Sequence, residues 1–202
     1  MQQDGNSLAT LIGSRICHDL ISPIGAVNNG LELLEMSGAS DSPELALVAE
    51  SVASANARIR FFRLAFGVAS KDQMTGADEV NTILSGVYTE ARTQISAFPD
   101  GSFPRSHVRA VLLALMCVEQ AIPYGGSLHM DHQAPVWRIW SESDRLVPDP
   151  ALWRLLWGGT SETTPPPAAV QFLMLPELLP EMNLRCTAET TENKAEITIE
   201  PV

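Results

Sequence analysis

The stretch Ser14-Arg15-Ile16-Cys17-His18-Asp19-Leu20-Ile21-Ser22-Pro23-Ile24, continued by Gly25-Ala26-Val27-Asn28-Asn29-Gly30-Leu31-Glu32-Leu33-Leu34, decides the fold of the N-terminal part of this chain. At about 100° per residue, Ile12, Ile16, Leu20, Ile24, Val27, Leu31 and Leu34 fall within a sector of roughly 120° and form one apolar stripe. His18 falls about 200° from Ile16, near the opposite pole, among Ser14, Ser22, Gly25 and Asn29. A histidine on a face of small polar residues is either a nucleophile that a partner can approach closely or a solvated surface side chain. Geometry alone leaves both readings open.

Working outward, the helix spans residues 6 to 36, and a second runs from 42 to 69. The second opens at Asp41-Ser42-Pro43-Glu44, where Asp or Ser can cap and Pro suits the first turn. Its apolar residues, Leu45, Val48, Ala49, Val52, Ala55, Ile59, Phe62 and Phe66, again recur at helical spacing. Ser37-Gly38-Ala39-Ser40 is too short a connection for anything but an antiparallel hairpin. Two such helices cannot bury both stripes alone; pairing with a second copy gives a four-helix bundle, so a homodimer is expected. Pro23 lacks a backbone donor and crowds the carbonyl of Asp19, so a slight kink is expected beside His18.

The chain has 202 residues, of which 45% are hydrophobic and 18% charged, enough apolar content for one or two compact cores. No window reaches the roughly 20 uninterrupted apolar residues of a membrane span, and Met1-Gln2-Gln3-Asp4-Gly5 lacks the basic start of a secretory signal, so no membrane association and a cytoplasmic location are expected. Cys17, Cys117 and Cys186 are widely spaced and odd in number, which suggests neither a disulfide framework nor a zinc site; they are read as free, mostly buried thiols. A net charge of −11 argues against nucleic acid as a partner, because counterion release needs clustered Lys and Arg. A protein partner is the expectation.

Residues 71–77, Lys-Asp-Gln-Met-Thr-Gly-Ala, are polar and without period, and read as a linker between a hairpin domain at 1–70 and a second domain at 78–202. The second domain reads as a helix at 78–91, a strand at 93–98, a helix at 105–121, strands at 126–132 and 136–143, a helical stretch at 149–156, a helix at 166–180, and strands at 184–190 and 194–200. Mixed helices with mostly antiparallel strands make an α/β sandwich, and the whole chain α+β.

His18-Asp19-Leu20-Ile21-Ser22-Pro23-Ile24 resembles the H-box of histidine kinases, in which a phosphoacceptor His is followed by an acidic residue, two variable residues, a polar residue and Pro. The whole chain resembles the ChpT family of histidine phosphotransferases. That resemblance implies a dimeric helical hairpin carrying the histidine, followed by a degenerate relative of the kinase ATP-binding (GHKL-like) domain. A kinase of that kind needs an Asn-bearing helix, a DxGxG turn and a Gly-rich lid. Here Leu112 to Ala121 carries Met116 and Gln120 where the asparagines would align, Ser143-Asp144-Arg145-Leu146-Val147-Pro148 has no glycine, and Gly158-Gly159-Thr160 with Thr163-Thr164-Pro165-Pro166-Pro167 supplies no Gly-rich lid, since Pro has no amide donor.

The resemblance therefore implies a relay without ATP. Nε2 of His18 takes a phosphoryl group from an aspartyl phosphate on one response-regulator receiver domain and passes it to an aspartate on another. No cofactor is expected on this chain, and Mg²⁺ is expected on the receiver. Asp19 either orients or deprotonates the imidazole or is a solvated helix carboxylate. Ser22 stands where kinases with phosphatase activity commonly carry Thr or Asn, which speaks against dephosphorylation. Arg15 either meets the phosphoryl group or the receiver or is a plain surface arginine. Ser14, Ser22, Gly25 and Asn29 are the expected docking positions. The rivals are a non-catalytic docking or inhibitor module, which would survive loss of His18, and an ATP-dependent histidine kinase, which the missing glycine motifs oppose.

Other residues carry less. His129 and His132 are three apart on one strand and so face opposite ways, unsuited to one metal. Trp137, Trp140, Trp153 and Trp157 read as core and rim packing. Arg58 and Arg60 lie about 200° apart, so with Arg63 they make no single basic patch.

Overall fold

The computed structural model describes residues 3–37, 43–70, 72–88, 92–159 and 164–202. Helices α1 (Gln3–Ser37) and α2 (Pro43–Ala65) pack along each other. Residues 38–42, which hold the expected turn and cap, lie outside the described residues, and a link of that length makes the two helices antiparallel. The first helix continues through Pro23, whose ring is buried.

The second helix stops at Ala65, short of the expected 69. Arg105 donates to the carbonyl of Arg63 at 3.0 Å and Arg109 to that of Ala65 at 3.2 Å, so two distant cations satisfy carbonyls of the last turn. At Gly67 the chain passes so close that a Cβ would sit 2.2 Å from the Arg63 oxygen.

The remaining elements are β1 (Met74–Gly76), α3 (Ala77–Tyr88), β2 (Thr93–Ile95), β3 (Ser102–Pro104), α4 (Arg105–Gln120), β4 (Gly126–Gln133), β5 (Val136–Glu142), α5 (Pro150–Leu155), α6 (Gln171–Leu178), β6 (Leu184–Thr190) and β7 (Lys194–Pro201). Short 3-10 turns at Pro167–Ala169 and Leu179–Met182 flank α6, in place of the single helix expected at 166–180, because prolines sit at the start of both turns. Five strands form one sheet in the order β2-β4-β5-β7-β6, with β2 parallel to β4 and the other pairs antiparallel.

Three residues of the expected linker form β1, which pairs antiparallel with β3, and the next begins α3. Neither strand was legible in the sequence, since three residues show no usable alternation. Nor is the junction free. Phe61, Phe62, Leu64 and Ala65 of α2 are buried in the same apolar cluster as α3 and α4. Each large side chain buried there contributes about 1.5–3 kcal/mol, enough to anchor the hairpin to the second part of the chain. Gly86 lets α3 approach α2 closely, as a Cβ there would lie 2.7 Å from the Ala57 methyl.

Helix α4 is the centre of the core. Val108 and every residue from Ala110 to Val118 are buried. One face of the sheet, with Leu128, Met130, Trp137, Ile139, Ala195, Ile197 and Ile199, is buried with it. The other face carries Arg138, Trp140, Glu196, Arg185 and Glu200, with ion pairs of 2.8 Å from Arg138 to Glu196 and from Arg185 to Glu200. His129 stacks on Trp140 of this outer face, whereas His132 packs on buried Trp137, the opposite placement that a spacing of three dictates.

Candidate functional site

His18 projects from α1 with 79% of its side chain exposed. The reason lies in the helix itself: the sector holding Ile12, Ile16, Pro23 and Gly30 turns inward, and His18 is carried to the far side. Asp19, one residue on, points toward the protein and keeps only 13% of its side chain exposed. Its Oδ1 lies 3.0 Å from His18 Nδ1, and its Oδ2 accepts from Arg15 Nε at 2.7 Å. The guanidinium of Arg15 also donates to the carbonyl of Ala168, far along the chain. An ionised carboxylate only accepts, so the hydrogen bond to Asp19 assigns the ring proton to Nδ1 and leaves Nε2 with a free lone pair whenever the imidazole is neutral.

The small polar positions around His18 lie where the periodicity predicts, with Ile21 beside them 69% exposed. Ser14, Ser22 and Asn29 are exposed, and a Cβ added at Gly25 would meet nothing within 4 Å. Beside it opens a cavity of about 440 Å³ between the first three helices, lined among others by Ser22, Pro23, Ser51, Ser54, Arg58 and Gly86. Arg58 Nε is shielded there without a hydrogen-bond partner among the described residues. Arg60 and Arg63 are exposed and line a different pocket together with Arg105, so Arg58 is separated from them as its spacing from Arg60 requires.

Arg15 differs from the expectation of a partner-facing residue. Its side chain is 18% exposed and its donors are engaged within the chain, because it lies on the flank of α1 that meets the 3-10 turn at Pro167–Ala169. Cys17 differs too: it is exposed, on the same edge of α1 as Ile24. Trp157 is 60% exposed, at the rim.

Two residues behind the site were not singled out from the sequence. Tyr88 at the end of α3 donates to Glu119 Oε2 of α4 at 3.0 Å. Burial raises the Glu119 carboxyl above its ordinary range, against the opposing pull of the Tyr88 hydrogen bond and of Arg15 and Arg58; burial, then the Glu119 charge, drive the Tyr88 phenol well up. A glutamate near the end of an apolar helix was the only available signal, and a backbone carbonyl such as that of Ala168 leaves none.

Helix α6 lies against α4, where Gln171 Nε2 donates to Gln120 at 2.8 Å, and the Met116 side chain is buried. Among the described residues no three His, Cys, Asp or Glu side chains cluster as metal ligands, and no helix is long and apolar enough to cross a membrane.

Comparison with known proteins adds three findings. The family described as the histidine phosphotransferase C-terminal domain matches residues 77–194. Protein phosphotransferase ChpT of Brucella abortus (strain 2308) is 39% identical over 125 residues, which span 60% of this chain and 58% of that protein. A bacterial phosphotransferase solved at 1.7 Å superposes with a TM-score of 0.77 at 29% identity, covering 96% of both chains.

Proposed function

The chain belongs to the histidine phosphotransferase family, and from that premise we propose that it relays phosphoryl groups between the aspartates of response-regulator receiver domains through phosphohistidine at His18. The observation that carries this reading is the pairing of an exposed imidazole with a shielded carboxylate on Nδ1, which leaves Nε2 bare and accessible. In the first step Nε2 attacks the phosphorus of an aspartyl phosphate. The N–P bond forms, the P–O bond to the receiver's aspartate breaks, and that aspartate leaves as a carboxylate. The ring gains positive charge while its Nδ1 proton stays against Asp19, which stabilises it. Transfer to a second receiver reverses each bond change.

Such transfer is mostly positioning and charge neutralisation. In this reading the receiver brings the Mg²⁺, and this chain supplies the nucleophile, its orientation and a docking face at Ser14, Ser22, Gly25 and Asn29. A partner seated there also covers the cavity beside Ser22 and reaches the Gly86 turn of α3, so both parts of the chain contribute to recognition. No ATP is used. Burial of Met116 and engagement of Gln120 by Gln171 support this, since both positions are spent on packing α6 against α4.

The functional unit in this proposal is a homodimer. Ile24 and Leu31 on α1, and Leu45, Val52 and Ile59 on α2, repeat at intervals of seven and are each 42–50% exposed. Rows of that spacing are the seam of a helical bundle.

The test offers wild-type protein and His18→Ala either labelled ATP alone or a phosphorylated receiver with Mg²⁺. Label acquired only from the receiver, and only with His18 present, is the expected result. Label from ATP would make the protein a kinase. Absence of label from several receivers would leave a docking module.

A further inference from the structure

Arg15 sits one turn before His18 yet points away from the docking face. Its Nε holds Asp19 Oδ2 at 2.7 Å, and a terminal nitrogen donates to the carbonyl of Ala168, 153 positions further on. The same charge acts on the Tyr88–Glu119 pair, opposing the effect of burial on both groups. Three elements of the second part of the chain, the end of α3, the end of α4 and the turn at Pro167–Ala169, thus bear on one guanidinium. Only an arginine suits the place: its planar fork can hold a carboxylate and a carbonyl at once in fixed directions, whereas an ammonium is a freely turning point charge.

We propose that Arg15 is a positioning residue through which the C-terminal part of the chain sets the tautomer of His18. It holds Asp19 in the rotamer whose Oδ1 accepts the Nδ1 proton, which keeps Nε2 free to attack. A bare i, i+4 pair on a helix would not do this, because its geometry fluctuates and its contribution is small; here the pair is shielded and tied at its far end to Ala168. The consequence for catalysis rests on the phosphohistidine reading, but the coupling itself does not.

The experiment follows the imidazole nitrogens of His18 by ¹⁵N NMR in the full chain, for wild type, Arg15→Met and Arg15→Lys. Met keeps the aliphatic stem and so its packing; Lys restores a charge beside Asp19 without the fork, and serves should the Met variant not fold. In parallel, phosphorylation by phosphoramidate is timed, a donor small enough to need no docking face. Wild type is expected to carry its proton on Nδ1. In Arg15→Met the population moves toward Nε2–H and labelling slows about tenfold, within the roughly 10²-fold that misplacing a reacting group can cost. Arg15→Lys falls between.

An unchanged tautomer in the variants overturns the proposal. So does slower transfer from a phosphorylated receiver with unchanged phosphoramidate labelling, which would make Arg15 a docking residue. Failure of wild type to accept phosphoryl from any receiver would sink the relay instead, and leave the tautomer comparison standing.

Discussion

Replacing Asp19 with asparagine probes the site where its hydrogen bonds converge. The carboxylate accepts from two sides, Oδ1 at 3.0 Å from His18 Nδ1 and Oδ2 at 2.7 Å from Arg15 Nε. An amide accepts with one atom and donates with the other. Arg15 can only donate, so the amide oxygen must face it, and the NH₂ then faces Nδ1. A donor in that place makes Nδ1 the acceptor and drives the ring proton to Nε2, the atom that attacks phosphorus in the proposed relay. A well-placed acid–base partner contributes about 10²–10⁴ in rate. Since His18 is 79% exposed, water recovers part of the loss, which favours the lower end. The expected slowing is about 10²-fold, equivalent to about 2.7 kcal/mol at the transition state.

Stability should change little, because the amide oxygen keeps the hydrogen bond from Arg15 and only its charge assistance is lost, about 1 kcal/mol or roughly 2–4 °C in melting midpoint for a chain of this size. Rapid-quench measurement of phosphohistidine formation, from a phosphorylated receiver and from phosphoramidate, reads the effect. Both donors use the same nitrogen, so both should slow by a similar factor. Rates within threefold of wild type with both donors would refute the role given to Asp19.

Further outcomes are expected elsewhere in the chain. Gly25→Trp projects into open space, so it should leave the melting midpoint and phosphoramidate labelling unchanged while slowing transfer from a receiver at least about tenfold; unimpaired transfer would place docking on another face. Leu31→Glu with Val52→Glu buries like charge in the proposed seam, and sedimentation should show a wild-type dimer become a monomer; a wild type that is already monomeric at micromolar concentration would end the four-helix reading. For Glu119, burial raises the folded-state pKa above the unfolded value, so the folded protein binds the extra proton and the associated stability is lost as pH rises through the folded pKa. Glu119→Gln keeps an acceptor for Tyr88, and thermal melts from pH 4.5 to 8 should show its midpoint gaining on wild type as pH increases; the opposite slope would contradict the sign of the shift.

The hairpin and the order of the later elements were legible because long amphipathic periods and alternating strands leave a strong local signal. The whole of β6, Leu184–Thr190, coincides with its sequence reading, and the exposed face with His18 follows from the wheel alone. What escaped was set by distance. The carbonyls at the end of α2 are met by arginines from α4, and β1 exists only because β3 lies beside it. The orientation of Arg15 depends on the carbonyl of Ala168, and no local pattern encodes a backbone oxygen 153 positions away. Ile24 and Leu31 belong to the apolar stripe of the sequence reading yet stay exposed here, because periodicity marks which residues are apolar and not which neighbour covers them.

In the proposed relay, a histidine that meets more than one partner faces a conflict between access and order. Access requires solvent exposure, and exposure lets an imidazole sample rotamers and tautomers in which its nucleophilic nitrogen is misdirected or protonated. The arrangement here separates the two demands. In front of His18 stand the small residues Ser14, Ser22, Gly25 and Asn29, with Ile21 exposed beside them, and in the proposed relay this face is what each partner approaches. Everything that orders it stands behind, in Asp19 and Arg15 and, through the Ala168 carbonyl and the Tyr88–Glu119 pair, in the second part of the chain. Ordering from behind acts equally on every partner, whereas contacts in front can discriminate among them. In the proposed relay the C-terminal part then contributes to transfer through packing alone: it is the wall against which the ring of His18 is aimed.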